Sequence, residues 1–275
     1  MGAAGGVVLL ALTWYVAHYV ALGRSVDASI LAGFADLTRP RLDRVTNFVA
    51  GLCNPNRYVV LAALPVLIAL ARRRPRVAAM IVVILLCANE TTQLLKPLLP
   101  GPRDPAAGVT VDAASWPSGH ATAAMSLALC MVVAAPARWR PAVAAAMAAF
   151  AVAVVYSFLE LGWHYPSDVL GGFLVAGTWT LLAIAGLALV QARLARGRAE
   201  MARQHRPSFS VGQALAPLGL VVAVAALLLG LIVLAHPHEV VSYARQHETF
   251  VVGAGTIAAL GILLSWGLSL MLRRG

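Results

Sequence analysis

The residues best suited to chemistry stand at the borders of apolar runs. "SWPSGHAT" at 115–122 sets a Pro-Ser-Gly-His turn directly before a run of Ala, Met and Leu, and "WHYPSD" at 163–168 precedes a second run. A helix that starts at such a turn presents unsatisfied N–H groups and the positive end of its dipole, which favour an anion. Lys96 and Arg103 add two cations between the runs. His164 has Asp168 four residues on. A carboxylate on one ring nitrogen fixes the tautomer and leaves the other nitrogen free as a nucleophile. His120 has no such partner nearby in sequence and reads as a proton donor. Taken singly these are caps, turns and a snorkelling lysine. Taken jointly they describe an oxyanion or phosphate site.

The elements that must position these residues are membrane helices. Of 275 residues, 60% are hydrophobic and 12% charged, against about 25% charged in a soluble domain. Runs of about 20 apolar residues recur, each enough to cross a bilayer. The fold class expected is all-α, a polytopic bundle of about eight spans. They lie over 4–23, 58–71 (short, extendable at its start), 77–95, 119–135, 141–162, 168–190, 213–235 and 249–272. The first six, 1–190, form the catalytic core. A basic linker at 191–210 leads to a C-terminal pair within 211–275.

The net charge of +10 resides in short clusters between the runs, such as "RRRPR" at 72–76 and the Arg-rich stretch 193–206. That placement fits topology signals and anionic headgroups, not nucleic acid. Counted by the positive-inside rule, both termini are cytoplasmic and every candidate site residue falls at the extracytoplasmic end. The first run lacks a basic leader and reads as a retained span. Cys53, Cys87 and Cys130 show no paired spacing, so neither a disulfide framework nor a zinc site is expected. The outer loop 24–57 is too long for a plain connector. From Pro40, Leu42, Val45, Phe48, Val49 and Leu52 recur at helical spacing, as in an amphipathic helix on the membrane face or a spacer.

These residues resemble the type-2 phosphatidic acid phosphatase superfamily of membrane lipid phosphatases, whose signature is K-x6-RP, PSGH and SR-x5-H-x3-D. Lys96 and Arg103 stand at that spacing, "PSGH" is intact at 117–120, and Ser157, His164 and Asp168 are in register. The resemblance spans about 90–190. It departs twice. Asp104 replaces the proline of the first motif, a change expected to alter only loop stiffness. Phe158 replaces the arginine of the third, removing a cation that the family uses to hold phosphate. Arg24, Arg39, Arg41, Arg44, Arg57 and Arg245 are the outer arginines available as substitutes.

The resemblance implies cleavage of a lipid phosphomonoester or diphosphate through a phosphohistidine. His164 attacks phosphorus, Asp168 orients it, and His120 protonates the leaving oxygen and then activates water. Lys96, Arg103, Ser118, Gly119 and Ser157 hold the phosphate. No metal or cofactor is expected, because cations and helix starts already neutralise the phosphate. The expected partners are a lipid phosphate substrate and membrane lipids. Two rival readings keep the fold, a phosphotransferase to a hydroxyl acceptor and a membrane protein without catalysis. Glu90, inside an apolar run, is expected to pair within the bundle, and Glu160 to reach water at the outer end.

Overall fold

The computed structural model describes residues 2–37, 43–106, 108–195 and 237–274. The helices are α1 (Gly2–Tyr19), α2 (Ala21–Ala35), α3 (Asp43–Ala50), α4 (Pro55–Ala71), α5 (Pro75–Leu98), α6 (Gly119–Ala134), α7 (Arg140–Glu160), α8 (Pro166–Ala195), α9 (Pro237–Gln246) and α10 (Glu248–Arg274). Proline stands in the first turn of α4, α5, α7 and α8, where its fixed φ suits the helix and its missing N–H costs nothing. Ala-, Val- and Leu-rich runs then carry each helix onward.

Among the described residues, α1, α5, α7, α8 and α10 are long and apolar enough to cross a membrane. A sixth span results if Asp43–Cys53 and Pro55–Ala71, bent by 60° at their junction, count as one. The shorter α6 is the axis of the bundle, with nearly every residue from Ala121 to Ala134 buried. Around it pack α4, α5, α7, α8 and α10. Seven of the eight expected spans thus fall on helices; the one at 213–235 lies outside the described residues, as does most of the 191–210 linker.

The loop expected at 24–57 is largely helical. Helix α3 matches the amphipathic stretch, but Val45 and Phe48 are exposed while Thr46 and Ala50 are buried. The unforeseen element is α2. It packs against α1, α7, α8 and α10, burying Asp27, Ile30, Leu31 and Phe34. The Tyr243 hydroxyl of α9 donates to the Gly33 carbonyl, and Phe34 meets Phe250 edge-on at 4.8 Å.

Candidate functional site

Two helix starts are locked together to build the site. Ser118 caps α6, its Oγ accepting the Ala121 N–H at 3.3 Å. The Ser118 N–H donates in turn to the Asp168 carbonyl at 2.9 Å, which ties the start of α6 to the first turn of α8. The approach is close because Gly171 and Gly172 carry no side chain. A Cβ on Gly172 would lie 2.7 Å from the Ser118 carbonyl oxygen and 2.9 Å from the Thr122 nitrogen. One on Gly171 would lie 2.7 Å from the Trp116 indole nitrogen.

The two histidines face each other across this junction, their ring centroids 6.5 Å apart. His164 is buried, and its Nδ1 donates to Asp168 Oδ2 at 3.2 Å. That oxygen also accepts the Tyr165 N–H at 3.0 Å. The expected His–Asp pair is therefore formed, with the proton on Nδ1 and no hydrogen-bond partner for Nε2 among the described residues. His120 lacks a partner close in sequence but has one in space. Its Nε2–H donates to Asn54 Oδ1, 2.8 Å away at the start of α4. Phe158, fully buried, lies 5.9 Å from the His120 ring and 5.4 Å from the His164 ring. At the position where the motif it resembles carries arginine, this chain has an apolar wall beside both imidazoles.

Arg103 is buried and differently employed from the free cation expected. Its Nη1 donates to Asp27 Oδ2 at 3.0 Å and to Ser167 Oγ at 2.9 Å, and its Nη2 donates to Asp168 Oδ1. Its Nε has no partner among the described residues. The planar fork fits between two carboxylates, as a guanidinium does and an ammonium cannot. Asp27 also accepts from Ser167, from the N–H at 2.9 Å and from the hydroxyl at 2.6 Å. The anion that the start of α8 attracts is thus this chain's own carboxylate. This corrects the expectation of two open helix starts: α6 remains open, α8 is capped by Asp27. Burial pushes the Asp27 carboxyl up to about 7, against the opposing pull of Arg103 and Ser167.

The remaining expected residues divide. Lys96, in the last turn of α5, points its Nζ toward the start of α6, 3.9 Å from where a Gly119 Cβ would be. Among the described residues it forms no ion pair, which leaves it the one unneutralised cation of the expected pair. Ser157 donates its hydroxyl to the Ala153 carbonyl of its own helix at 2.8 Å. Of the substitute arginines, Arg24 is engaged with Asp104 at 2.9 Å, while Arg57 lies one turn beyond Asn54 on α4, its guanidinium over the Phe48 ring at 5.6 Å. Arg39 and Arg41 lie outside the described residues; Arg44 and Arg245 are exposed. Asp104 does more than change loop stiffness, since it pairs with Arg24 and its carbonyl accepts the Tyr165 hydroxyl at 2.7 Å. Glu160 accepts from Thr46 Oγ1 at 3.4 Å, and Glu90 lies on the exposed side of α5 instead of inside the bundle. Sequence reasoning missed Asp27 and Asn54. The one available signal was an acid set in the apolar stretch "SVDASILAGF".

Residues 77–191 match the model of the PAP2 superfamily. Among solved structures, the chain is similar to the crystal structure of the first transmembrane PAP2 type phosphatidylglycerolphosphate phosphatase from Bacillus subtilis. The TM-score is 0.56 and the identity 19%, over 68% of this chain and 96% of that one. The likeness extends the shared fold beyond the family segment. A search of curated proteins gave no significant match.

Proposed function

We propose that this chain is a membrane phosphatase of the PAP2 superfamily, whose model matches residues 77–191, and that it releases phosphate from a membrane lipid through a phosphohistidine on His164. The observation that carries the reading is the His164–Asp168 pair, Nδ1 engaged and Nε2 free, facing His120 across 6.5 Å at the open start of α6. His164 Nε2 attacks phosphorus, and the bond to the leaving oxygen breaks as His120 passes it a proton. The Nδ1 proton stays on the ring, where Asp168 stabilises the charge that develops. His120, now neutral, takes a proton from water; the water oxygen attacks the phosphohistidine, the P–N bond breaks, and phosphate leaves. Lys96 and the first-turn N–H groups of Gly119 and His120 offset charge on the non-bridging oxygens. Ser118 contributes by fixing that helix start, and Arg103 by bracing Asp168.

The substrate class is a lipid phosphate, of the polyprenyl phosphate or glycerophospholipid type, because the site sits at an end of a membrane-spanning bundle. Positive-inside counting puts that end on the extracytoplasmic side with both termini in the cytoplasm. Free phosphate released from a panel of lipid phosphates, with no hydroxyl acceptor added, tests the hydrolase; product formation only on adding an acceptor would make it a transferase. Orientation is tested in a cysteine-free background. A cysteine at exposed Ala113, in the α5–α6 loop, should react with an impermeant reagent in intact cells, and one at exposed Ala137, in the α6–α7 turn, should not. The reverse pattern would place the site in the cytoplasm.

A further inference from the structure

The segment matched by the family model begins at residue 77, yet one buried carboxylate bonded to the site arginine comes from α2. We propose that Asp27 is a positioning residue that holds Arg103 against Asp168 and thereby sets the carboxylate that orients His164. The inference rests on the phosphohistidine reading above.

The geometry is a continuous chain of charge-assisted bonds. Asp27 Oδ2 accepts from Arg103 Nη1 at 3.0 Å, Arg103 Nη2 donates to Asp168 Oδ1, and Asp168 Oδ2 accepts from His164 Nδ1 at 3.2 Å. Asp27, Arg103 and Asp168 are all buried, so water screens none of these contacts. Without Asp27 the guanidinium would keep only the Ser167 hydroxyl and the Tyr165 ring beside Asp168, and could shift toward Oδ2 and draw off the negative charge that His164 needs. Asp27 on the opposite edge opposes that shift. Ser167 completes the clamp, bonded to both Asp27 and Arg103. A purely structural role is also available to Asp27, since it caps α8 through the Ser167 N–H. The two roles differ in one respect: a cap is needed whether or not Arg103 is present, and a positioner of Arg103 is not.

The test is a double-mutant cycle on full-length protein in detergent, with Asp27→Asn, Arg103→Gln and the pair combined. Steady-state phosphate release is measured per folded, monodisperse protein, and thermal unfolding alongside it. Asp27→Asn should lower kcat about tenfold or more while KM moves by less than about threefold. In the Arg103→Gln background the same change should cost nothing further. Arg103→Gln alone should melt lowest, because it strands two buried carboxylates, and adding Asp27→Asn, which removes one of them, should raise its melting temperature. Equal losses from Asp27→Asn in both backgrounds would reduce Asp27 to a helix cap and overturn the proposal, as would a kcat unchanged from wild type. If wild-type protein releases no phosphate, the phosphatase reading fails by itself. The thermal cycle still decides whether Asp27 and Arg103 act as a unit, and additive melting shifts would overturn the inference.

Discussion

The sharpest test of how the site is held together is one methyl group at Gly172. A Cβ there would stand 2.7 Å from the Ser118 carbonyl, 2.8 Å from the Ala121 Cβ and 2.9 Å from the Thr122 nitrogen. Two of these neighbours are backbone atoms in the first turn of α6, so no side chain can rotate out of the way. Relief requires α6 and α8 to part by several tenths of an ångström. Overpacking of this kind costs about 1–3 kcal/mol. The displacement falls between Ser118 and Asp168, on either side of which stand His120 and His164. A misplacement on the order of 1 Å at a reacting pair costs about a hundredfold in rate; a smaller shift here should cost about ten- to a hundredfold in kcat for Gly172→Ala. Gly186, on the same helix, is the control: nothing lies within 4 Å of its Cβ position, and Gly186→Ala should leave kcat within about twofold. Phosphate release and thermal unfolding on both variants decide the matter. Gly172→Ala with wild-type kcat and melting temperature would refute the close-packed junction as the element that sets the site.

Three other expectations follow from the same contacts. Because Asn54 holds the His120 ring through Nε2, Asn54→Ala should slow an alkyl phosphate by about tenfold and an aryl phosphate much less, since the better leaving group needs less protonation; equal losses would separate Asn54 from proton transfer. Phe158→Arg puts a charge into a fully buried wall between the imidazoles, so activity should fall and not rise, and Arg57→Ala should weaken kcat/KM if Arg57 lends the missing cation; a gain from Phe158→Arg with no loss from Arg57→Ala would show a site merely short of charge. The raised Asp27 carboxyl binds its proton more tightly in the folded than in the unfolded chain, so it contributes stability that is full below the ordinary carboxylate range and is lost as pH rises through about 7. The melting temperature should fall more steeply between about pH 4 and 7 for wild type than for Asp27→Asn, and parallel curves would contradict it.

What was legible in the sequence lay at helix ends. His120, His164, Asp168 and Lys96 each border an apolar run, and periodicity with parity is enough to bring them to one end of the bundle. The His164–Asp168 pair is legible because four residues make one helical turn. What was not legible depended on contacts distant along the chain. Asp27 meets Arg103 and Ser167 from a stretch whose mixed hydropathy reads as loop, and α2 gains its helix from packing on α7, α8 and α10. Asn54 likewise reaches His120 from another helix. The roles assigned to Arg103 and Ser157 by motif spacing alone could not register that one guanidinium is taken by two carboxylates and one hydroxyl by its own helix.

The central claim is a covalent phosphoryl group on His164, and rapid quench of the enzyme with a lipid phosphate labelled at phosphorus measures it most directly. The account predicts an acid-labile, alkali-stable phosphoenzyme that forms and decays at rates consistent with turnover, maps to His164, and is absent from His164→Ala. In His120→Ala it should form slowly and persist, because the second step loses its base. Turnover by wild type with no labelled protein at any time, or label that survives His164→Ala, would contradict the account.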